Sequence, residues 1–96
     1  MDRVDHVALV VKNLDETVKW YLSHFNARLI YQDDTWAMVE FANVKLAFVV
    51  SHQHPAHIAF SSDKAESYGK LNQHRDGSLS CYAKDPSGNM VEFIKP

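Results

Sequence analysis

A short phrase that occurs twice limits what this chain can fold into. His6 begins the segment His-Val-Ala-Leu-Val-Val, and His57 begins the similar segment His-Ile-Ala-Phe-Ser-Ser. In the first segment, successive residues fall on two alternating sides, as in a half-buried β-strand. A second pair of phrases follows, Val-Lys-Leu-Ala-Phe-Val-Val from Val44 and Asn-Met-Val-Glu-Phe-Ile-Lys from Asn89. The two pairs predict two copies of one supersecondary unit.

Aligning the copies brings three chemically related residues together. If the phrases are in register, Glu92 corresponds to Ala47, and the candidate site consists of His6, His57 and Glu92 on three strands. Imidazole and carboxylate are common ligands of divalent first-row metals, and three of them leave positions open to water or substrate. Each residue alone would more often be structural. Their equivalent positions in a repeat are what predict a metal site, for Fe, Mn, Zn or Ni, which ligand type does not distinguish.

The order of predicted elements gives an α+β fold. The first module, about residues 4–50, reads as strand, helix and three strands. The second, about residues 56–96, reads as a strand at 57–60, a helix from 62 or 63 to 73, and strands at 78–83 and 90–94. It is six residues shorter between its matched positions, so we expect it to lack the strand after its helix. Together the modules predict one domain, residues 1–96, with a cupped mixed sheet and helices outside.

Composition narrows the function. The net charge is −2 and the basic residues are scattered, so we expect no nucleic-acid partner. No apolar run approaches the ~20 residues of a membrane span, and the N-terminal residues lack a signal-peptide pattern. The single cysteine, Cys81, lies in a predicted strand and is expected to be a buried, inert thiol. A cytoplasmic location is therefore predicted.

The same residues resemble a known family. Three segments carry the resemblance: the phrases around His6 and His57, and the ending Asp-Pro-Ser-Gly-Asn-Met-Val-Glu from Asp85 to Glu92. They are similar to the vicinal oxygen chelate superfamily, which includes glyoxalase I, extradiol dioxygenases, fosfomycin-modifying enzymes and bleomycin-binding proteins. The resemblance covers essentially the whole chain, and its ending is the most specific part. It implies two βαβββ modules around a metal held by His6, His57 and Glu92.

The chain departs from each branch of that family. Ala47 stands where glyoxalase I has a fourth ligand, a glutamate. Ala8 stands where the fosfomycin branch has a hydroxyl residue, and no arginine follows Glu92. Extradiol enzymes are normally longer, with four modules. The catalytic acid or base stays unknown; the conceivable candidates are Tyr82, His24 and Tyr31.

Two main functions follow from the resemblance. One is a metal-dependent lyase, isomerase or dioxygenase acting on a small substrate that chelates the metal through vicinal oxygens. The alternative is a metal-free module that sequesters a small molecule, as bleomycin-resistance proteins do. The aromatic residues that could line its cavity are Trp20, Trp36, Phe41, Phe48 and Tyr82. A third reading is a degenerate scaffold that binds only a protein partner.

Assembly is part of the prediction. A second module that lacks a strand leaves an exposed sheet edge, and exposed edges are usually covered. We therefore expect a two-fold homodimer. In glyoxalase-like dimers the modules pair across chains, so His6 of one subunit could share a metal with His57 and Glu92 of the other.

Overall fold

The computed structural model describes residues 1–96 and contains eight strands, one α-helix and one 3₁₀ turn. This secondary-structure content confirms the predicted α+β class. None of the helices is long and apolar enough to cross a membrane. In chain order the elements are β1 (Arg3–Val11), α1 (Leu14–His24), β2 (Arg28–Gln32), β3 (Trp36–Glu40), β4 (Lys45–Val50), β5 (His57–Ser61), the 3₁₀ turn (Ala65–Ser67), β6 (Asn72–Gln73), β7 (Leu79–Lys84) and β8 (Met90–Lys95).

The chain forms two compact units with the same strand plan. One unit is residues 6–56, and the other is residues 1–5 with 57–96. In the first unit, module one, the strand order is β2-β3-β4-β1, with β1 parallel to β4 and the other neighbours antiparallel. In the second, module two, the order is β5-β8-β7-β6, with β5 parallel to β8 and the other neighbours antiparallel. The repeat predicted from the two phrases is therefore confirmed.

The register of the parallel pairs makes the two modules comparable residue by residue. In module one, Ala8 pairs with Ala47, and in module two, Ala59 pairs with Glu92. Each of these alanines lies two residues after the histidine that begins its phrase. Ala47 and Glu92 are therefore structural equivalents, as the sequence alignment predicted.

Module one places its largest core beneath α1. The helix begins after Asn13, whose side chain accepts a hydrogen bond from the backbone N–H of Glu16 at 2.9 Å. Its buried residues Leu14 and Val18 pack with Phe48, Ala37 and Val39 from the strands. The opposite side of these strands carries a second buried cluster, Ala8, Met38, Ala47 and Val49. Because strand residues alternate in direction, β3 and β4 contribute to both clusters.

Two of our predictions for module two were wrong: the helix after β5 and the absence of a strand after that helix. The helix predicted over residues 62–73 is only the 3₁₀ turn Ala65–Ser67, and the strand predicted to be lost is present as β6. The segment offers Ala65, Tyr68 and Leu71 as its apolar residues, too narrow a stripe to stabilise a helix by packing. Gly69 lowers helix propensity further. Most of the missing length therefore comes from the helix.

The residues from Asp85 to Gly88 favour a tight turn by their own conformational preferences, and this turn forms before β8. The side chain of Asp85 accepts hydrogen bonds from the backbone N–H groups of Ser87 and Asn89, each at 2.9 Å. Gly88 has φ of 88°, a conformation that favours glycine. Hydrogen bonds from the Asn89 side chain and backbone hold the pKa of Asp85 below its usual range. This turn fixes the register with which β8 leaves it.

Candidate metal centre

Glu92 is a buried carboxylate at the middle of β8, with a partner on each oxygen. Its Oε1 lies 3.0 Å from Nε2 of His57. Its Oε2 accepts a hydrogen bond from the Ser80 hydroxyl at 2.6 Å and lies 3.4 Å from Nε2 of His74. Only 4% of Glu92 is exposed. A carboxylate this buried is costly unless such donors or a cation surround it.

Strand alternation directs Glu92 to this position. Phe93, the next residue, points to the other side of the strands, where its ring stacks on Tyr68 with centroids 3.9 Å apart. In the antiparallel pair of β7 and β8, Glu92 lies opposite Tyr82. Ser80 and Tyr82, two residues apart on β7, share the Glu92 side. The site face of module two is thus built by two neighbouring strands.

Tyr82 borders both His57 and Glu92. Its ring meets the imidazole of His57 edge to face, with centroids 5.3 Å apart. Burial raises the pKa of Tyr82, and the negative charge of Glu92 and the hydrogen bond to that carboxylate raise it further. The phenol therefore stays protonated at neutral pH. Tyr82 can donate a hydrogen bond to an anion here, but it cannot act as the base.

The two candidate histidines occupy equivalent positions in the equivalent strands β1 and β5, and both are buried. His57 is 8% exposed and His6 is 6% exposed, low values for a side chain of this polarity. Of the three predicted ligands, the structure brings His57 and Glu92 into direct contact within module two. His6 occupies the same position in module one, on the strand side that carries Ala8 and Ala47.

The sequence analysis did not predict that His74 and Ser80 lie beside Glu92. His74 lies in a polar stretch after the predicted helix, where a histidine is usually solvated, and it bonds Ser80 through Nε2. Ser80 is an ordinary polar residue in a strand. The strand alternation of β7 could have placed Ser80 on the Glu92 side, because Tyr82 and Ser80 are two residues apart. No pattern in the sequence marks His74.

The other two candidate acid–base residues lie in module one and have other contacts. His24 is exposed on α1, with its ring stacked on Trp20 at a centroid distance of 4.1 Å. Tyr31 stacks on Trp36 at 4.3 Å and donates a hydrogen bond from its hydroxyl to Asp33 at 2.6 Å. In both residues the polar atom of the side chain is hydrogen-bonded within module one.

Only some of the aromatic residues proposed to line a cavity lie on the strand faces that carry the candidate histidines. Phe48 is fully buried under α1 with Phe41 beside it, and Trp20 is half exposed on the helix, so these three do not belong to the site faces. Trp36 packs against the cluster of Ala8, Met38, Ala47 and Val49. Trp36 and Tyr82 are therefore the members of the set that lie on the faces carrying the candidate histidines.

Cys81 is buried, as its strand pattern predicted. Its thiol donates a hydrogen bond to the backbone oxygen of Ala65 at 3.3 Å, on the side of β7 away from Glu92. Burial raises the pKa of Cys81, and the charge of Glu92 raises it further. The thiol is therefore protonated at neutral pH and unsuited to act as a nucleophile.

The spacing of donors in module two fits a divalent metal. Metal bonds to imidazole nitrogen and carboxylate oxygen are about 2.0 to 2.2 Å long, so adjacent ligand atoms lie about 2.8 to 3.6 Å apart in octahedral or tetrahedral geometry. The observed distance between Nε2 of His57 and Oε1 of Glu92 is 3.0 Å. A neutral imidazole with a carboxylate is also the chemistry that such ions select. Both distance and donor type fit.

The chain belongs to the Glyoxalase/Bleomycin resistance protein/Dioxygenase superfamily, whose family model matches residues 3–71. That match covers module one and the beginning of module two. None of the curated proteins compared with the chain matches it significantly. The vicinal oxygen chelate assignment drawn from the two histidine phrases and the Asp85 turn is thereby confirmed.

Solved structures show the same fold at low sequence identity. A hypothetical protein from Bacillus halodurans is 14% identical, with a TM-score of 0.75 over 99% of this chain and 94% of that one. Methylmalonyl-CoA epimerase from Mycobacterium tuberculosis is 15% identical, with a TM-score of 0.73 over 98% and 87%. A superfamily member from Vibrio splendidus is 8% identical, with a TM-score of 0.68 over 99% and 98%. At these identities the likeness concerns the fold.

Proposed function

We propose that this protein is a divalent-metal-dependent enzyme acting on a small substrate that binds the metal through two neighbouring oxygen atoms. The observation that carries the proposal is the buried contact between His57 and Glu92, in a chain that belongs to this superfamily. A buried carboxylate and imidazole are an expensive way to stabilise a sheet, since apolar side chains would pack there at least as well.

His6 is the proposed third ligand. It is buried, it occupies the position in β1 that His57 occupies in β5, and the resemblance to the vicinal oxygen chelate superfamily implies a ligand there. Two imidazoles and one carboxylate leave coordination positions for the oxygens of a substrate. We propose iron, manganese, nickel or zinc as the ion.

The residues of the chain would divide the work. A bound divalent ion supplies Lewis-acid stabilisation of negative charge on substrate oxygens. Glu92 contributes the negative charge that offsets the ion's charge. Tyr82, protonated at neutral pH, hydrogen-bonds the Glu92 carboxylate beside His57 and so helps to hold that ligand in place. The base remains unassigned, because the phenol and the thiol of Cys81 both have raised pKa values.

Elemental analysis of protein purified without affinity tag or chelator tests the metal site. We expect near-stoichiometric iron, manganese, nickel or zinc in the parent protein. We expect its loss in His6→Ala, His57→Ala and Glu92→Gln, because removing a ligand should lower the affinity by more than the ~10- to 100-fold typical of removing an outer partner. His52→Ala, in an exposed loop, is the matched control and should retain the metal. A parent that stays free of metal after incubation with each ion contradicts the proposal.

A simple chelator tests the substrate class separately. Acetohydroxamate presents two neighbouring oxygens to a metal. We expect it to bind the metal-loaded parent protein in calorimetric titration and to bind the Glu92→Gln variant at least ~10-fold more weakly. Equal binding to metal-loaded and metal-free protein would contradict the chelating role.

A second candidate function, metal-free sequestration of an aromatic molecule, rests on one observation. Tyr31 and Trp36 form a half-buried stacked pair on the His6 side of module one, with ring centroids 4.3 Å apart. Such a pair offers an aromatic surface to a planar ligand. This function predicts that binding of a planar aromatic probe survives Glu92→Gln and is weakened by Trp36→Ala. The metal-dependent function predicts dependence on Glu92.

We also propose a cytoplasmic two-fold homodimer. In their sheets, β2 and β6 each have a neighbour on one side only, and β2 exposes Leu29 and Ile30. Unpaired edges with apolar residues favour association. Light scattering across a dilution series tests the dimer. If metal affinity falls on dilution, the ion is shared between subunits; unchanged affinity at monomeric concentrations contradicts sharing.

A further inference from the structure

We propose that Ser80 and His74 are positioning residues that hold one oxygen of Glu92, so that this carboxylate binds the metal through its other oxygen alone. The inference rests on the proposed metal-binding function and concerns residues outside the ligand set. It assigns separate roles to the two oxygens. Oε1 faces His57, while Oε2 is held by the hydroxyl and imidazole of module two.

The direction of the hydrogen bonds follows from the number of protons available. A serine hydroxyl has one proton, and that of Ser80 is donated to Oε2 of Glu92 at 2.6 Å. The contact between Ser80 Oγ and His74 Nε2 must therefore be a bond donated by the imidazole N–H. The result is a chain of donors in one direction, from His74 to Ser80 to Glu92.

Burial makes this chain restrictive. Ser80 is fully buried, and Glu92 is 4% exposed, so water cannot easily replace either bond. His74 has a partly exposed side chain, 27%, and it reaches the pair from the segment between β6 and β7. No buried side-chain nitrogen or oxygen lacks a hydrogen-bond partner. The carboxylate cannot rotate without breaking the bond to Ser80, which fixes the direction of Oε1.

Module one shows that the repeat does not produce this chain by itself. The register pairs Trp36 with Val49 and Ser80 with Ile94, two residues after Ala47 and Glu92 respectively. Trp36 is therefore the equivalent of Ser80. The module with an alanine in place of the glutamate has a large aromatic residue in place of the serine. The hydroxyl and the carboxylate occur together in module two and are both replaced in module one.

Monodentate binding has a chemical consequence. A carboxylate that used both oxygens would occupy two positions on the metal, whereas one oxygen leaves an additional position free. For a substrate that binds through two oxygens, that free position is needed. Outer partners of this kind typically change metal affinity by 10- to 100-fold when removed.

Cobalt(II) provides a readout of coordination that is independent of activity. We would titrate the parent protein, Ser80→Ala, His74→Ala and His74→Gln with Co²⁺, recording affinity and the visible absorption spectrum. We expect Ser80→Ala to bind Co²⁺ about 10- to 100-fold more weakly. Its visible bands should also be weaker, because a bidentate carboxylate raises the coordination number.

The two His74 variants keep the test decisive even if Ser80→Ala does not fold. His74→Ala should shift the spectrum in the same direction by a smaller amount. His74→Gln should restore the parental spectrum, because its amide N–H can replace the imidazole donor. Ser78→Ala is the control, since its hydroxyl bonds Asp76 in the neighbouring turn, and it should match the parent.

The outcomes separate the two proposals. A parent that binds Co²⁺, with Ser80→Ala and His74→Ala matching its affinity and spectrum, overturns the positioning role and leaves the metal site intact. A parent that binds no Co²⁺ overturns the proposed function together with this inference. A spectrum that shifts in His74→Ala and recovers in His74→Gln supports the inference.

Discussion

The two modules share one strand plan and differ in what they place on equivalent positions. Module one has Ala47 inside an apolar cluster with Ala8, Met38 and Val49. Module two has Glu92 at the same position, bonded to His57 and Ser80. In module one the residue opposite is Met38, and in module two it is Tyr82. The backbone is repeated, but at these two pairs of equivalent positions the residues are apolar in module one and polar in module two.

On the other side of the strands, module one has the larger apolar core. Module one packs the eleven-residue helix α1 over Phe48, which is fully buried. Module two has only the three-residue 3₁₀ turn and a half-buried Phe93 that stacks on Tyr68. Because burial of apolar area is the main stabilising term, module one should contribute more to stability. We infer that module one stabilises the fold and module two supplies most of the site's chemistry.

The largest effect is expected when the glutamate of module two is placed at the equivalent position of module one. Ala47→Glu should lower the free energy of unfolding by about 4 kcal/mol, because a carboxylate would be buried without a donor equivalent to Ser80. Urea unfolding in the presence of a chelator measures the change. Val10→Glu, on an exposed strand position, should cost less than about 1 kcal/mol. An Ala47→Glu protein as stable as the parent would show that the face of module one tolerates charge.

A pair of equivalent phenylalanines tests the difference between the cores. Phe48 follows Ala47 and Phe93 follows Glu92, so the two phenylalanines are equivalent. Only Phe48 is fully buried. Phe48→Ala should cost about 3 to 4 kcal/mol, since it leaves a cavity under α1. Phe93→Ala should cost about 1 to 2 kcal/mol. Equal costs in urea unfolding would contradict the unequal contribution of the two modules.

The smallest effect concerns the turns, where the modules behave alike. Burial raises the pKa of Asp33, but hydrogen bonds from the Tyr31 hydroxyl and from the backbone N–H groups of Thr35 and Trp36 outweigh it and lower the pKa to about 2. A lowered pKa stabilises the folded state above about pH 4, and that contribution is lost as the pH falls toward 2.

Asp33→Asn should therefore lower stability by up to about 1 kcal/mol at pH 7, a value reduced because the carboxylate is accessible to solvent. The difference from the parent should vanish near pH 2. Thermal unfolding at both pH values measures it, and Asp34→Asn, at the exposed neighbouring position, should change little at either. A cost that is independent of pH would show that the turn does not depend on the charge of Asp33.

The sequence predicted the repeat and the parity of its strands. Alternation along β1 predicted that His6 and Ala8 lie on the same side of the strand. The matched phrases predicted that Glu92 is the equivalent of Ala47, and the structure has both features. The turn from Asp85 to Gly88 forms because its residues favour a tight turn by themselves. These features depend on residues close in sequence, which is why a single chain reveals them.

Tertiary structure decided the rest. The segment predicted as the second helix has helix-compatible residues but no apolar stripe wide enough to bury, so its packing on β7 and β8 yields one 3₁₀ turn. His74 meets Ser80 and Glu92 only because the antiparallel pairing of β6, β7 and β8 brings them together. The sequence by itself determined the repeat and its candidate ligands, since both follow from local alternation. Which groups surround Glu92 depended on strand pairing, a non-local interaction that spacing along the chain does not encode.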